Sequence, residues 1–409
     1  MKFNVMILLV CASMFTTKAM AAEFSIHPSI TVSEEYTDNV FEFRDNKRTD
    51  YITRVLPGLA LKWNAPFWDW DIAYNYDYSH YARNSRGDDD THNLAAKGLI
   101  KIVDEFLLLD ISDTYRRVSL NVTRDYTRDS NFVNQSDSNT FTASPYFIFH
   151  LSQQTLLKTG YRYTNVWYKD PNAVDKREHS GFMDATYEYS SKIFLNAGYM
   201  FTRQNSINTY EKHAPYIGAR YEYADKSFVF AQGGYTWFDF KNGFNSKNPY
   251  WSAGITHTFD TFSVNLNAGV QYPEDPLTGV TKETNYSLGL NKNLERGTVG
   301  FSLYYSMFDE KNLNGTNSDK TNKYGAGITA KYDLTQKMIV NFATNVEKYE
   351  QKNVGSYTRR IYVNPGLSYS LPMDFSVALN YSFIDYYSPG IFTDNYRVNR
   401  VVLEARKVF

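Results

Sequence analysis

Residues 262–272, with the sequence FSVNLNAGVQY, decide the fold class. Apolar residues occupy every second position of this segment, and polar or small residues fill the positions between them. Because side chains alternate between the two faces of a β-strand, the segment predicts a strand with one apolar and one polar face. The same alternation recurs at residues 70–78, 299–307, 324–332 and 377–383, so the chain predicts a sheet built from many such strands.

Two features favour a membrane barrel over a soluble β-sandwich. Aromatic residues cluster at the ends of the apolar faces, as in the interfacial girdles of transmembrane barrels. The polar faces are rich in Gly, Ser, Asn and Thr, which suits a water-filled lumen. The mean hydropathy of −0.49 agrees with this interpretation, because only every second residue of a barrel strand faces lipid. No stretch approaches the 18 apolar residues of a transmembrane helix.

The alternating segments predict a single all-β antiparallel barrel of about twenty strands (range 18–22) over residues 22–409. Very short and longer connections alternate along the whole chain, which predicts an even strand number and both termini in the periplasm. The predicted strands start near residues 25, 50, 67, 91, 105, 138, 154, 178, 192, 209, 226, 246, 261, 281, 297, 321, 337, 358, 373 and 394.

Residues 1–21 have the pattern of a cleaved export signal. Lys2 gives a basic start, an apolar run follows, and Ala19 and Ala21 place small residues before a cleavage site. The run is too short for a membrane anchor. The only cysteine, Cys11, lies inside this segment, so we expect the mature chain to contain no disulfide.

The C-terminus ends an alternating strand with an aromatic residue, Phe409. This arrangement resembles the signal that the outer-membrane assembly machinery recognises. The resemblance implies that this machinery is a partner and that the protein lies in the bacterial outer membrane, in contact with lipid and lipopolysaccharide.

A second resemblance rests on residues 30–41, and its core is Glu34-x-Tyr36-x-Asp38-Asn39-Val40-Phe41. This stretch is similar to the first strand and loop of the β-barrel porin type 2 family of outer-membrane proteins. Members of that family are often encoded beside genes for capsule or exopolysaccharide synthesis and export. The resemblance implies a pore that lets a secreted polysaccharide leave the cell, with the polysaccharide and its export proteins as partners.

The polar faces, taken as inward, predict the residues that line the lumen. Their charges have mixed signs, which predicts cross-strand pairing and does not predict a ring of one sign. The predicted lumen residues are Asp71, Asp77, Asp110, Lys158, Arg162, Asp184, Glu188, Arg220, Glu222, Lys331, Glu347, Arg360, Arg400, Glu404 and Arg406.

Two features of the predicted lumen stay open at this point. Tyr304, Phe308 and Tyr362 could stack on sugar rings, or they could fill space. The longest predicted external loop, residues 121–137, could fold inward as a constriction, or it could lie on the surface.

The sequence does not predict an enzyme. The seven histidines are scattered, and no metal-binding His or Cys spacing occurs, so we expect no catalytic site, no metal site and no cofactor. Residues 88–90 could bind a divalent cation, although a solvated acidic loop is the commoner role of such a run. With 43 basic and 44 acidic side chains, the chain has no net positive charge that would attract nucleic acid.

The sequence is compatible with three functions. The first is an outer-membrane conduit for exopolysaccharide or capsule export. The second is a general diffusion porin for small solutes, and the third is a surface structural or adhesive barrel whose loops bind partners.

Overall fold

The computed structural model describes residues 22–409, except 129, 132, 208, 242–244, 274, 278–279, 312–317, 354 and 390–394. The predicted export signal, residues 1–21, lies outside the described residues. In the described part of the chain, twenty strands form one sheet, and a single 3-10 turn occurs at Tyr126–Arg128. No helix there is long and apolar enough to cross a membrane.

The strands follow one another around the sheet in chain order. They are β1 (Glu23–Thr37), β2 (Asp50–Ala65), β3 (Trp68–Tyr81), β4 (Asp89–Val103), β5 (Leu107–Ser119), β6 (Gln135–His150), β7 (Thr155–Tyr168), β8 (Lys176–Ser190), β9 (Ile193–Asn205), β10 (Tyr210–Ala224), β11 (Ser227–Phe240), β12 (Asn245–Thr258), β13 (Phe262–Gln271), β14 (Val280–Leu294), β15 (Gly297–Lys311), β16 (Ser318–Asp333), β17 (Met338–Gln351), β18 (Ser356–Leu371), β19 (Phe375–Tyr387) and β20 (Tyr396–Val408).

The sheet closes on itself. Each strand pairs antiparallel with its neighbours in the chain, and β1 pairs with both β2 and β20, from Ser29 opposite Val408 to Thr37 opposite Arg400. The predicted all-β antiparallel barrel of twenty strands is therefore confirmed. Predicted strand starts differ from the observed ones by at most three residues, as at β6 and β16.

The two ends of the barrel differ in their connections. At one end, here called the short-turn end, the strands are joined by tight connections such as residues 66–67 and 191–192. At the other end, the long-loop end, the connections include residues 38–49 and 120–134. The first residue of β1 and the last residue of β20 both lie at the short-turn end. That this end faces the periplasm stays a prediction.

The apolar face of the sheet is the exposed outer face. Leu266, Val346 and Leu403 lie on it, and each keeps a large exposed fraction although its side chain is apolar. Such a continuous apolar surface is stable when lipid covers it, which is the environment of a transmembrane barrel.

This facing predicts opposite outcomes for two adjacent substitutions in β13. We expect Leu266→Arg, on the outer face at the middle of the strand, to lower the free energy of unfolding by about 2–4 kcal/mol. Asn267→Arg, on the inner face, is expected to change it by less than about 0.5 kcal/mol. Urea titration of the barrel in phospholipid vesicles measures both, and equal losses would contradict the assigned faces.

Candidate functional site

The polar face of the sheet encloses the lumen, and the long loop 120–134, here called L3, lies inside it. L3 connects β5 to β6, yet its side chains contact strands far around the ring. Asn131 accepts a hydrogen bond from the Arg54 guanidinium on β2 (2.9 Å) and donates to the Glu35 carboxylate on β1 (3.5 Å). A loop can reach these inner-face side chains only by folding into the barrel.

A second attachment of L3 is made by Arg124. Its guanidinium carbon lies 3.9 Å from the centre of the Tyr386 ring on β19 and 4.0 Å from the Tyr126 ring of the loop itself. The same group donates a hydrogen bond to the Tyr396 hydroxyl on β20 (2.7 Å). Stacking on two rings and a hydrogen bond satisfy a cation that is only 6% exposed.

Local hydrogen bonds prepare L3 for this position. The Asn121 side-chain oxygen accepts hydrogen bonds from the backbone amides of Thr123 (2.8 Å) and Arg124 (3.0 Å), and the Ser119 hydroxyl donates to the Arg124 carbonyl (2.8 Å). Such side-chain-to-backbone bonds fix a turn without regular secondary structure. Of the two roles open for this loop, the structure shows the inward one.

A second bridge forms between two other long connections, L4 (residues 169–175) and L7 (residues 272–279). The Val174 backbone amide donates to the Pro276 carbonyl (2.8 Å), and the Lys176 ammonium donates to the Asp275 carbonyl (2.5 Å). L4 joins β7 to β8, whereas L7 joins β13 to β14, so the contact spans several strands.

The first loop, L1 (residues 38–49), packs over the inner face of β2 and β3. Val40 forms a small apolar cluster with Ile52 and Tyr81. Asp38 accepts a hydrogen bond from the Asn399 side chain on β20 (2.6 Å), and Asn39 donates to the Arg397 carbonyl (3.1 Å). The Asp-Asn-Val part of the sequence motif therefore fastens L1 to the seam where the barrel closes.

Under these loops, the inner wall carries buried charge clusters. In the first, Glu347 accepts hydrogen bonds from the hydroxyls of Tyr304 and Tyr349 and from the Arg360 guanidinium (2.9 Å). Lys323 lies 3.2 Å from the same carboxylate. Arg360 is 3% exposed, so each charge in the cluster depends on the other for its solvation.

A second cluster lies beside the closing seam. Arg400 lies 3.6 Å from the Glu35 carboxylate and 3.4 Å from the Glu42 carboxylate of L1, while Arg54 lies 3.2 Å from Glu35. This cluster joins L1, L3 and the strands β1, β2 and β20 into one electrostatic network.

A third cluster uses part of the predicted acidic run. Arg117 lies 2.7 Å from Asp89 and 3.0 Å from Asp137. Asp88 instead accepts hydrogen bonds from the Tyr78 hydroxyl (2.5 Å) and from His80 (2.9 Å), which hold the pKa of its carboxyl below the usual value. In the described residues, no group of three or more His, Cys, Asp or Glu could hold a metal ion.

The predicted lumen residues divide between two zones of the inner face. Asp77 lines a cavity beneath L3, and Glu347, Arg360 and Arg400 belong to the clusters at the long-loop end. The others lie nearer the short-turn end; they are Asp71, Asp110, Lys158, Arg162, Asp184, Glu188, Arg220, Glu222, Lys331, Glu404 and Arg406.

Charges of opposite sign are neighbours in the second zone too. Lys62 lies 3.9 Å from Asp71, and Arg220 lies 2.9 Å from Glu222. Lys158 is the register partner of Asp184 across β7 and β8. The Lys62–Asp71 pair is well exposed, at 64% for each side chain, so it stays in contact with water.

The predicted lumen aromatics serve as packing. Tyr304 donates to Glu347, Phe308 is buried, and Tyr362 packs against the apolar cluster around Ile384. Sequence reasoning missed a different inner-face group in the second zone, where Tyr146 and Phe182 pack together near Leu108 and Lys158 lies 3.7 Å above the Tyr146 ring. Tyr146 and Phe182 each interrupt the polar face of their strand, and this interruption is the sequence signal that could have identified the group.

Phe409 lies at the seam. Its backbone amide donates to the Pro28 carbonyl on β1 (2.8 Å), and its ring is exposed on the outer face. Its role in recognition by the assembly machinery stays a prediction.

A closed twenty-strand sheet with an apolar outer belt, polar inner wall and inward loops defines an outer-membrane β-barrel. Solved structures with this fold include the FrpB iron transporter of Neisseria meningitidis (TM-score 0.52, 11% identity, 94% of this chain and 82% of that one). They also include the ferric-catecholate import receptor Fiu of E. coli K12 (TM-score 0.51, 12% identity, 96% and 82%). A ferric enterobactin receptor of Pseudomonas aeruginosa, PfeA, is similar as well (TM-score 0.54, 9% identity, 96% and 82%).

At these identities the likeness shows the fold, and it places the protein in the bacterial outer membrane. No family model matches the chain. No curated protein matches it either.

Proposed function

We propose that this barrel is a passive outer-membrane conduit for a secreted polysaccharide, with no chemical step. The observation that carries the proposal is the inner wall, where charges of both signs are paired while the short-turn half stays exposed to water. A hydrated polymer without strong net charge passes such a wall without being trapped. The likeness of residues 34–41 to the β-barrel porin type 2 family supports the same direction of function.

The inward loops give the conduit a gate at the long-loop end, which we place outside the cell. L3 reaches from β5 and β6 to the wall formed by the neighbouring strands β19, β20, β1 and β2, and cavities of about 460 Å³ and 180 Å³ lie on its two sides. In this proposal the docked L3 is the closed state of the conduit. Export in this proposal therefore requires L3 to leave the lumen, and partner export proteins would supply that event.

A general diffusion porin for small solutes is the second candidate, and the same cavities favour it. The larger of them, about 460 Å³, has room for a small solute without any movement of L3. The two functions differ in whether the docked loop is the working state or the closed state.

Deletion of the gene separates the candidates. For a conduit, we expect secreted polysaccharide to fall to background while uptake of small sugars stays normal, and plasmid-borne wild-type protein should restore secretion. Normal secretion with impaired uptake would favour the porin. If both are normal and the purified protein conducts no ions in planar bilayers, transport is excluded and the adhesive barrel remains.

A further inference from the structure

Four asparagines in the short-turn half of the lumen have their side-chain oxygen within 3.0 Å of the place where a Cβ atom would lie on a glycine of the neighbouring strand. Asn75, Asn196, Asn267 and Asn380 lie on β3, β9, β13 and β19, so they are separated by six, four, six and four strands around the closed ring. Each is between the fourth and eighth residue from the short-turn end of its strand. We call these four residues the amide belt.

Each member of the belt faces a glycine on the neighbouring strand. The register pairs are Gly58 with Asn75, Gly218 with Asn196, Gly254 with Asn267, and Gly366 with Asn380. Asn291 on β14 faces Gly300 on β15 in a similar but looser arrangement, in which a Cβ atom on the glycine would lie 3.1 Å from the amide oxygen.

The glycines are needed because the asparagine side chains lie across them. A Cβ atom on Gly218 would lie 2.7 Å from the Asn196 side-chain oxygen, and one on Gly254 would lie 2.5 Å from that of Asn267. Cβ atoms on Gly58 and Gly366 would meet the oxygens of Asn75 and Asn380 in the same way. Glycine weakens a strand, so its presence here indicates a close approach of another group. Each amide therefore lies along the wall, over the glycine of the neighbouring strand.

The belt amides remain available to a ligand. Asn75 and Asn267 are exposed, and Asn196 and Asn380 are half-buried. Within the part of the chain that the structure describes, none of the four amides has a hydrogen bond to another side chain. Each therefore presents two N–H donors and a carbonyl acceptor to the lumen.

The charges around the belt do not select an ionic polymer. Asp71 is in register with Lys62 on one side and Lys97 on the other, and Lys158 is in register with Asp184. Cations and anions thus alternate at the same height as the amides. A polymer with one sign of charge would meet repulsion as often as attraction along this wall.

We propose that the amide belt is a binding track for an uncharged polysaccharide. Hydroxyl groups of neutral sugars both donate and accept hydrogen bonds, which matches the free amide on each side of the ring. Single exchangeable hydrogen bonds with water as competitor are weak, so the chain is retained without being immobilised. This inference deepens the proposed function and rests on it.

The test measures binding directly, so that it does not depend on whether the pore conducts. Saturation-transfer NMR on the purified barrel in detergent is performed with three hexasaccharides of similar length: maltohexaose (uncharged), a hyaluronan hexamer (anionic) and a chitosan hexamer (cationic). We expect maltohexaose to bind best. We expect the variant with Asn75, Asn196, Asn267 and Asn380 all changed to Ala to bind it about tenfold more weakly, because its hydrogen bonds to the amides are lost.

Asn165→Ala, which removes an amide from the outer-facing row of β7, is the matched control and should bind like the wild type. Gly218→Ala and Gly254→Ala provide a second test, since the added methyl group moves the amide of Asn196 or Asn267 without changing its chemistry. Both substitutions should weaken binding. Equal binding by wild type and the four-Ala variant, or preference for a charged hexamer, would overturn the inference. If deletion of the gene abolishes secretion but the four-Ala variant binds maltohexaose like the wild type, the conduit is supported and the binding track is contradicted. If the four-Ala variant loses binding but deletion of the gene leaves secretion normal, the conduit is contradicted and the binding site is not.

Discussion

Replacing Arg124 with Ala is expected to raise the single-channel conductance of the purified barrel several-fold. Arg124 connects L3 to the rings of Tyr126 and Tyr386 and to the Tyr396 hydroxyl, and Ala removes all three contacts. Because the loop then loses its attachment to β19 and β20, it should spend more time outside the lumen. Planar bilayer recordings measure the change, and adding Asn131→Ala should increase it further.

The control for this variant must remove a lumen cation without touching L3. Arg406→Ala does so, since Arg406 lies on the inner face near the short-turn end, opposite Thr31 of β1. We expect a small change in ion selectivity from Arg406→Ala and no change in the size of the conducting steps. If Arg124→Ala and Arg406→Ala behaved alike, L3 docking would not control the pore.

Replacing Glu347 with Ala is expected to lower the free energy of unfolding by about 3–5 kcal/mol. The substitution removes the carboxylate that the buried Arg360 guanidinium and the nearby Lys323 ammonium contact, and it removes the acceptor of two tyrosine hydroxyls. Urea titration in detergent, followed by tryptophan fluorescence, measures the shift of the midpoint.

Two controls separate loss of charge pairing from loss of a side chain. The double variant Glu347→Met with Arg360→Met removes both buried charges, and it should recover most of the lost stability. Glu350→Ala disrupts an exposed pair with Lys348 on the outer face, and it should leave the midpoint unchanged. A midpoint for Glu347→Ala equal to that of Glu350→Ala would show that the cluster is not stabilising.

Much of the fold could be predicted because the signal for a strand is local. The alternation in residues 262–272 identified β13, which runs from Phe262 to Gln271. The last residue of that row, Tyr272, departs from the pattern: it lies in L7 with its ring 5.3 Å from that of Phe238. At the end of a strand, contact with a loop overrides the alternation that the interior of the sheet imposes.

The contents of the lumen were less predictable than the strands that form its wall. Period-two counting indicated which face of its strand Glu347 occupies, yet it did not indicate that Lys323 and two tyrosines join Arg360 around it. It also left the position of L3 open, because nothing in residues 121–137 themselves distinguishes a docked loop from a surface loop.

The sequence by itself determined the class of structure, because the alternation of apolar and polar residues identifies the two faces of a strand within ten residues. That alternation recurs along the chain. Only the tertiary structure decided what the lumen contains. Arg124 in L3 donates a hydrogen bond to Tyr396, which is 272 residues further along the chain, and Asn196 lies across a glycine on another strand. Such contacts exist only after the sheet has closed, because closure brings distant inner-face residues within reach of one another.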